Sequence, residues 1–143
     1  MSLLKLVPAW LHGIGDYGAG LALIIVPLIV GGTDEAVYTG VVLGAVLVLV
    51  SLFTRYPLGA VKSVPFPVHS AGDDLGALLA IVAPFVLGFN DTDEGLTIFY
   101  IVVGAVVIAL SLVTNYQDPR TELWQAGLDR TSGRPRTAAG GAR

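Results

Sequence analysis

Four runs of apolar residues dominate the chain, roughly Pro8 to Val30, Ala36 to Thr54, Pro67 to Phe89 and Leu96 to Thr114. Each is close to the roughly 20 residues that a helix needs to cross a hydrocarbon core about 30 Å thick. Within that core no water pairs with backbone groups, so a crossing segment is either a helix or part of a closed barrel. A barrel would show segments of about ten residues alternating apolar and polar side chains, whereas these runs are apolar all round. The composition agrees: 54% of residues are hydrophobic and 13% charged, with a mean hydropathy of +0.75, outside the range of soluble domains. The sequence predicts an all-α membrane protein with four transmembrane helices, the lipid bilayer being its first partner.

The joints between the runs carry Gly, Pro and Asp, where helices stop and turn. They read "GGTDE", "TRYPLGAVKSVPFP" and "NDTDEG". The first and third are short enough to make each helix pair an antiparallel hairpin, and the prolines of the second predict a non-helical interfacial strap. The hairpin is used twice. His12, Gly15, Asp16, Pro27, Gly31 and Asp34 align with His69, Gly72, Asp73, Pro84, Gly88 and Asp91. Val42, Gly44, Ala45, Ser51, Thr54 and Tyr56 align in turn with Val102, Gly104, Ala105, Ser111, Thr114 and Tyr116. Two crossings per unit give both copies the same orientation, hence a pseudo-two-fold axis along the membrane normal. The expected organisation is a four-helix domain over residues 1–117, with repeats at about 8–56 and 67–116. An interfacial helix over 118–130, starting at Asp118 and Pro119, and a disordered tail over 131–143 would follow.

Orientation follows from the basic residues. Lys5, Arg55, Lys62, Arg120, Arg130, Arg134, Arg136 and Arg143 all fall at the N-terminus, in the strap or in the C-terminal tail. The positive-inside rule then predicts a multi-pass protein of the plasma (inner) membrane with both termini cytoplasmic. The N-terminus "MSLLKLVPAW" is too soon interrupted by His12 and Asp16 for a cleavable signal peptide, so the first run is expected to remain as an anchor.

Ionisable groups at the start of two such helices need a reason. His-x-x-x-Asp places both side chains on one face, one turn apart and about 6 Å along the axis. The charge-free stretch from Asp16 to Gly31 is only about 21 Å long at 1.5 Å per residue, so the motif reaches hydrocarbon depth. A charged Asp at mid-bilayer costs about 2.5–3.5 kcal/mol on insertion scales, and such groups face the bundle interior with a partner. The sequence thus predicts a polar cluster of His12, Asp16, His69 and Asp73, with Asp74 beside it, between the first and third helices.

Several roles fit that cluster. Two imidazoles and two carboxylates suit a zinc, iron or manganese ion, and His12 with His69 could instead hold a haem as axial ligands. A structural reading has His and Asp capping free helix N–H groups and setting the register of the hairpins. A proton relay would need further ionisable groups across the bilayer, and none continues the path. No Ser–His pair, phosphate-cradling loop or catalytic signature is present, and the absence of cysteine removes thiol chemistry. A non-enzymatic role is therefore expected. The scattered basic residues exclude a nucleic-acid surface.

Other features have packing explanations. Pro27 and Pro84 are expected to kink their helices, and Tyr56, Tyr116, Trp10 and Trp124 to anchor the helices at the interface. Gly44 with Ala45 and Gly104 with Ala105 should mark close helix approach, and small-residue faces of this kind could also support a homo-oligomer.

The stretch "IVAPFVLGFNDTDEGLTIFYIVVGAVVIALSL" resembles the SPW repeat, a module of small prokaryotic integral membrane proteins in which a helix ends in Ser-Pro-Trp before a Leu-Gly-Phe-like turn and a second helix. The resemblance covers both hairpins, most of residues 11–114. The Ser-Pro-Trp positions read Ala83-Pro84-Phe85 and Val26-Pro27-Leu28, so only proline is kept in each, while Leu87-Gly88-Phe89 keeps the turn. The resemblance implies the two-hairpin architecture and assigns no catalytic residue.

Overall fold

A computed structural model describes residues 6–114 as four helices, α1 Ala9–Val30, α2 Asp34–Phe53, α3 Phe66–Val86 and α4 Glu94–Val113. The segments expected to form the interfacial helix and the tail lie outside the described residues, as do Tyr116 and Trp124. α1, α2 and α4 are long and apolar enough to cross a membrane. α3 has the same length but carries His69, Asp73 and Asp74 in its first half, which lowers its hydropathy.

Local chemistry explains the boundaries. Pro8 and Pro65 hold the chain extended just before α1 and α3, and Pro67 enters the first turn of α3, where a missing N–H costs no helical bond. Thr33 caps α2 by accepting from the Ala36 N–H, with Asp34 and Glu35 in the positive first turn. Gly31 and Gly88, equivalent positions, follow the ends of α1 and α3 with φ of 75° and 77°, a left-handed conformation that glycine adopts at little steric cost. α3 therefore stops at Val86, three residues before the expected Phe89. Pro27 and Pro84 lie buried in the last turns of α1 and α3.

Each hairpin packs chiefly on itself, and the hairpins meet along two seams, α1 with α4 and α2 with α3. Within a hairpin the backbones touch: a Cβ at Gly44 would run into the Gly20 carbonyl, and one at Gly104 would lie 2.6 Å from the Ala77 carbonyl oxygen. Gly40 and Tyr100 are equivalent positions that differ. The fully buried Tyr100 donates to the Ala36 carbonyl at 2.7 Å, in space left open by the missing side chain of Gly40.

The bundle is more polar inside than out. Ser51, Thr54, Ser70, Thr97, Ser111 and Thr114 are buried, while Leu21, Ile25, Val42, Leu49, Leu78, Ile98 and Val106 are exposed. This is the pattern of helices held together by small and polar residues within lipid.

The helix ends near the His-Asp motifs close in a crossed manner. The strap after α2 folds back so that Ala60 and Val61 donate to the Leu52 carbonyl, and Ser63 and Val64 to that of Phe53. Leu6 and Val7, which precede α1, donate to the Val113 carbonyl at the end of α4. Single parallel bridges, Thr54 with Val64 and Val7 with Thr114, repeat the arrangement in both halves. Free C-terminal carbonyls are thereby satisfied, and the end of each second helix is tied to the start of the other repeat's first helix.

At the opposite end Asp93 joins the hairpins, accepting from the Thr33 N–H at 2.9 Å and its hydroxyl at 2.7 Å. The Thr33 hydroxyl and then its backbone N–H hold the Asp93 carboxyl below its usual value. A depressed acid stabilises the fold above its unfolded pKa, near 4, and that contribution disappears as pH falls through the folded value. Asp93→Asn should therefore flatten the loss of thermal stability between neutral and strongly acidic pH, measured by melting curves in detergent.

Candidate metal centre

His12 and His69 are the fourth residues of α1 and α3, and Asp16 and Asp73 the eighth. A four-residue step returns a side chain to the same helix face. Here that face points into the bundle, where His12, Asp16 and His69 are fully buried and Asp73 is 2% exposed.

Each histidine is gripped by a threonine from the other repeat. Thr114 Oγ1 donates its one proton to the Leu110 carbonyl at 2.6 Å, so toward His12 Nδ1, 2.9 Å away, it acts as acceptor. Thr54 repeats this, donating to the Val50 carbonyl at 2.6 Å and accepting from His69 Nδ1 at 3.0 Å. Both protons on Nδ1 are thus fixed by donor counting, and both Nε2 atoms face inward. A partner that fixes the outer ring nitrogen is the usual support of a metal-binding imidazole.

The inner atoms form an alternating ring. His12 Nε2 lies 3.4 Å from Asp16 Oδ2 and 3.2 Å from Asp73 Oδ2, and His69 Nε2 lies 2.9 Å and 3.2 Å from the same two oxygens. Ligands about 2.0–2.1 Å from a zinc-sized ion stand about 3.3–3.4 Å apart along a tetrahedron's edges, close to these distances. The four residues each offer one ligand atom, and these atoms all lie within 4.8 Å of one another. Two carboxylates occupy the space between the imidazoles, which suits an ion and leaves no room there for a haem plane. The other Asp16 oxygen, Oδ1, is buried with no hydrogen-bond partner among the described residues, the state of a ligand group short of a cation or donor.

Aromatic rings close the outer side. Tyr56 stacks on Phe66 and on His69 with centroids 5.8 Å apart in each case, and Phe66 meets His12 edge-on at 5.6 Å. Gly13 makes room for the Tyr56 ring, since a Cβ there would strike it. Burial pushes the Tyr56 phenol well above its ordinary value, so it remains a neutral hydroxyl. Tyr56 is therefore a buried lid, where the sequence suggested an interfacial anchor: the strap's bonds back to α2 turn it inward. Trp10, 44% exposed, keeps an outward position.

The structure brings together His12, Asp16, His69 and Asp73 and leaves Asp74 outside. One residue further along α3 turns a side chain by about 100°, and Asp74 is only half-buried. The capping role is also excluded: neither α1 nor α3 has a side-chain N-cap, and the His and Asp side chains bond within the cluster. Gly72 and Gly76 do not mediate close helix approach, because a Cβ at either would meet nothing within 4 Å. Sequence reasoning missed the roles of Thr54 and Thr114, although the repeated Ser51/Thr54 and Ser111/Thr114 spacing was their signal.

The outer threonines make a direct prediction. Thr54→Val and Thr114→Val each remove an Nδ1 acceptor while keeping the side-chain shape; were the ring to hold a metal ion, each would weaken its binding roughly 10–100-fold, read from competition with a chromogenic chelator.

A family model described as the SPW repeat domain matches residues 9–114, both hairpins together with the whole centre. No curated protein and no solved structure matches the chain.

Proposed function

The chain belongs to the SPW repeat family, and on that footing we propose that its four helices form a membrane-embedded carrier for one divalent transition-metal ion at His12, Asp16, His69 and Asp73. The observation that carries this reading is the pair of inward-facing Nε2 atoms, set by Thr54 and Thr114, against two carboxylate oxygens at 2.9–3.4 Å. Without a cation, the four Nε2–carboxylate contacts need two shared protons, one for each Nε2. A divalent ion replaces two such protons at the same net charge, so a neutral site within lipid stays neutral. Two imidazoles and two carboxylates suit zinc, iron or manganese.

The role is binding, with no reaction assigned. The distribution of Lys and Arg supports a plasma-membrane protein with both termini, and hence the metal centre, toward the cytoplasm. A homo-oligomer built on small residues would use the open Gly18, Gly72 and Gly76, since Gly44 and Gly104 are spent within their own hairpins.

Titration calorimetry of the purified protein with Zn2+ in two buffers of different ionisation enthalpy tests this reading. One ion per chain should bind with release of about two protons. Absence of binding to a folded protein, or uptake without proton release, would leave the ring as a hydrogen-bonded clamp that sets the register of the two hairpins.

A further inference from the structure

All four ligand groups are at most 2% exposed, so an ion reaches the ring, or leaves it, only when something moves. Toward the other end of the bundle, about 21 Å of charge-free helix follows Asp16. Sideways, Leu110 closes the α1–α4 seam over Gly15. The matching α2–α3 seam, with Val50 and the open Gly72 in those positions, gives between the exposed Val42, Val46, Leu75 and Leu79 onto lipid, where an ion stripped of water is costly. The remaining approach is the end crossed by the strap. There two rings lie over the histidines among the described residues: Phe66, which belongs to α3 and moves with it, and Tyr56, which the strap carries.

The closed position of Tyr56 is held by contacts of modest strength. Its ring stacks on His69 and Phe66, the strap bonds back to the Leu52 and Phe53 carbonyls, and the Tyr17 hydroxyl donates to the Leu58 carbonyl at 3.2 Å. Two local costs oppose them. The Tyr56 hydroxyl is buried with no hydrogen-bond partner among the described residues, so the closed ring forfeits hydration that an open one regains. Lys62, further along the same strap, has a φ of 55° and is the one residue besides glycine with a positive φ among the described residues. That left-handed conformation is unfavourable for a residue with a Cβ, and both costs fall on the segment that would have to move.

We infer that Tyr56 is the gate of the ring: the strap carries it off His69 to let an ion in or out, and returns it over the loaded site. What passes the gate rests on the metal reading; whether the gate opens does not.

The chain has two histidines, both in the ring, so their carbethoxylation by diethyl pyrocarbonate reports opening in ion-free protein. The full chain, without a histidine tag and in mild detergent, is modified and digested, and His12 and His69 are read separately by mass spectrometry. Tyr56→Ala, which removes both stacking contacts, should speed modification of His69 about tenfold. Tyr56→Phe keeps the ring without the unpaired hydroxyl and should slow it about fivefold. Lys62→Gly relieves the left-handed conformation and should also slow it about fivefold. Stopped-flow zinc uptake and chelator-driven release should shift together in the same order, leaving Kd unchanged. Equal modification of His69 in folded wild type, Tyr56→Phe and Lys62→Gly would overturn the gate even where zinc binds. Weaker zinc affinity in Tyr56→Phe with unchanged modification of His69 would overturn it in favour of the phenol as a direct ligand. The expected order of modification in a protein that binds no zinc would uphold the gate and contradict the metal reading alone.

Discussion

A double variant, His12→Ala/His69→Ala, is expected to abolish metal binding altogether while leaving four helices. Each histidine supplies a donor that its carboxylate neighbours cannot replace from the same position, and the loss of both leaves two oxygens facing each other in a buried site. If loss of an outer-shell partner weakens metal sites roughly 10–100-fold, loss of two direct ligands should exceed that range, so elemental analysis after desalting should read background. The variant also leaves Asp16 and Asp73 without cross-helix partners, and uncompensated buried charges destabilise by about 3–5 kcal/mol. Its melting temperature should fall, and Asp16→Asn with Asp73→Asn added on top should recover part of that loss without restoring metal. Recovery of stability without metal would separate the clamp from the ligand set.

The second large effect is steric. Gly44→Ile places a branched side chain where the Gly20 carbonyl, Ile24 and the Leu23 Cβ already lie. Overpacking costs about 1–3 kcal/mol in soluble cores and more where nothing yields. Here the obstruction includes backbone, so the expected cost is about 3 kcal/mol or more, and α1 should part from α2. Gly104→Ile should do the same to the second hairpin, where the Ala77 carbonyl oxygen stands 2.6 Å from the would-be Cβ. Gly18→Ala is the internal control: nothing lies within 4 Å of its Cβ position, and its effect should stay within about 0.5 kcal/mol. Steric trapping or thermal melting in mild detergent would read all three.

Much of this architecture was legible because lipid imposes simple rules. Run length dictated helices, short joints dictated hairpins, and the offset between His12 and His69, kept from His to Asp in both copies, put His12 level with His69 and Asp16 level with Asp73. A four-residue step settles which helix face a side chain shares, so His12 with Asp16 and His69 with Asp73 could be paired from spacing alone. The same rule should have excluded Asp74, one residue out of step. Tyr56 was not legible, because its burial depends on the strap folding back onto the carbonyls of Leu52 and Phe53, which no periodicity encodes. Thr54 and Thr114 looked like ordinary helix-end residues until the crossed closure put each against the histidine of the other repeat. The unequal seams were hidden for a related reason. Leu110 against Val50 is a small change in sequence, and only packing turns it into one closed and one open groove.

Metal-edge X-ray absorption of the purified wild-type protein, loaded with one equivalent of Zn2+ and washed, would read the ligand set of the proposed site. A single bound ion with two imidazole nitrogens and two carboxylate oxygens at about 2.0–2.2 Å is expected. A folded protein that retains no zinc, or a bound ion whose spectrum lacks the imidazole contribution, would contradict it.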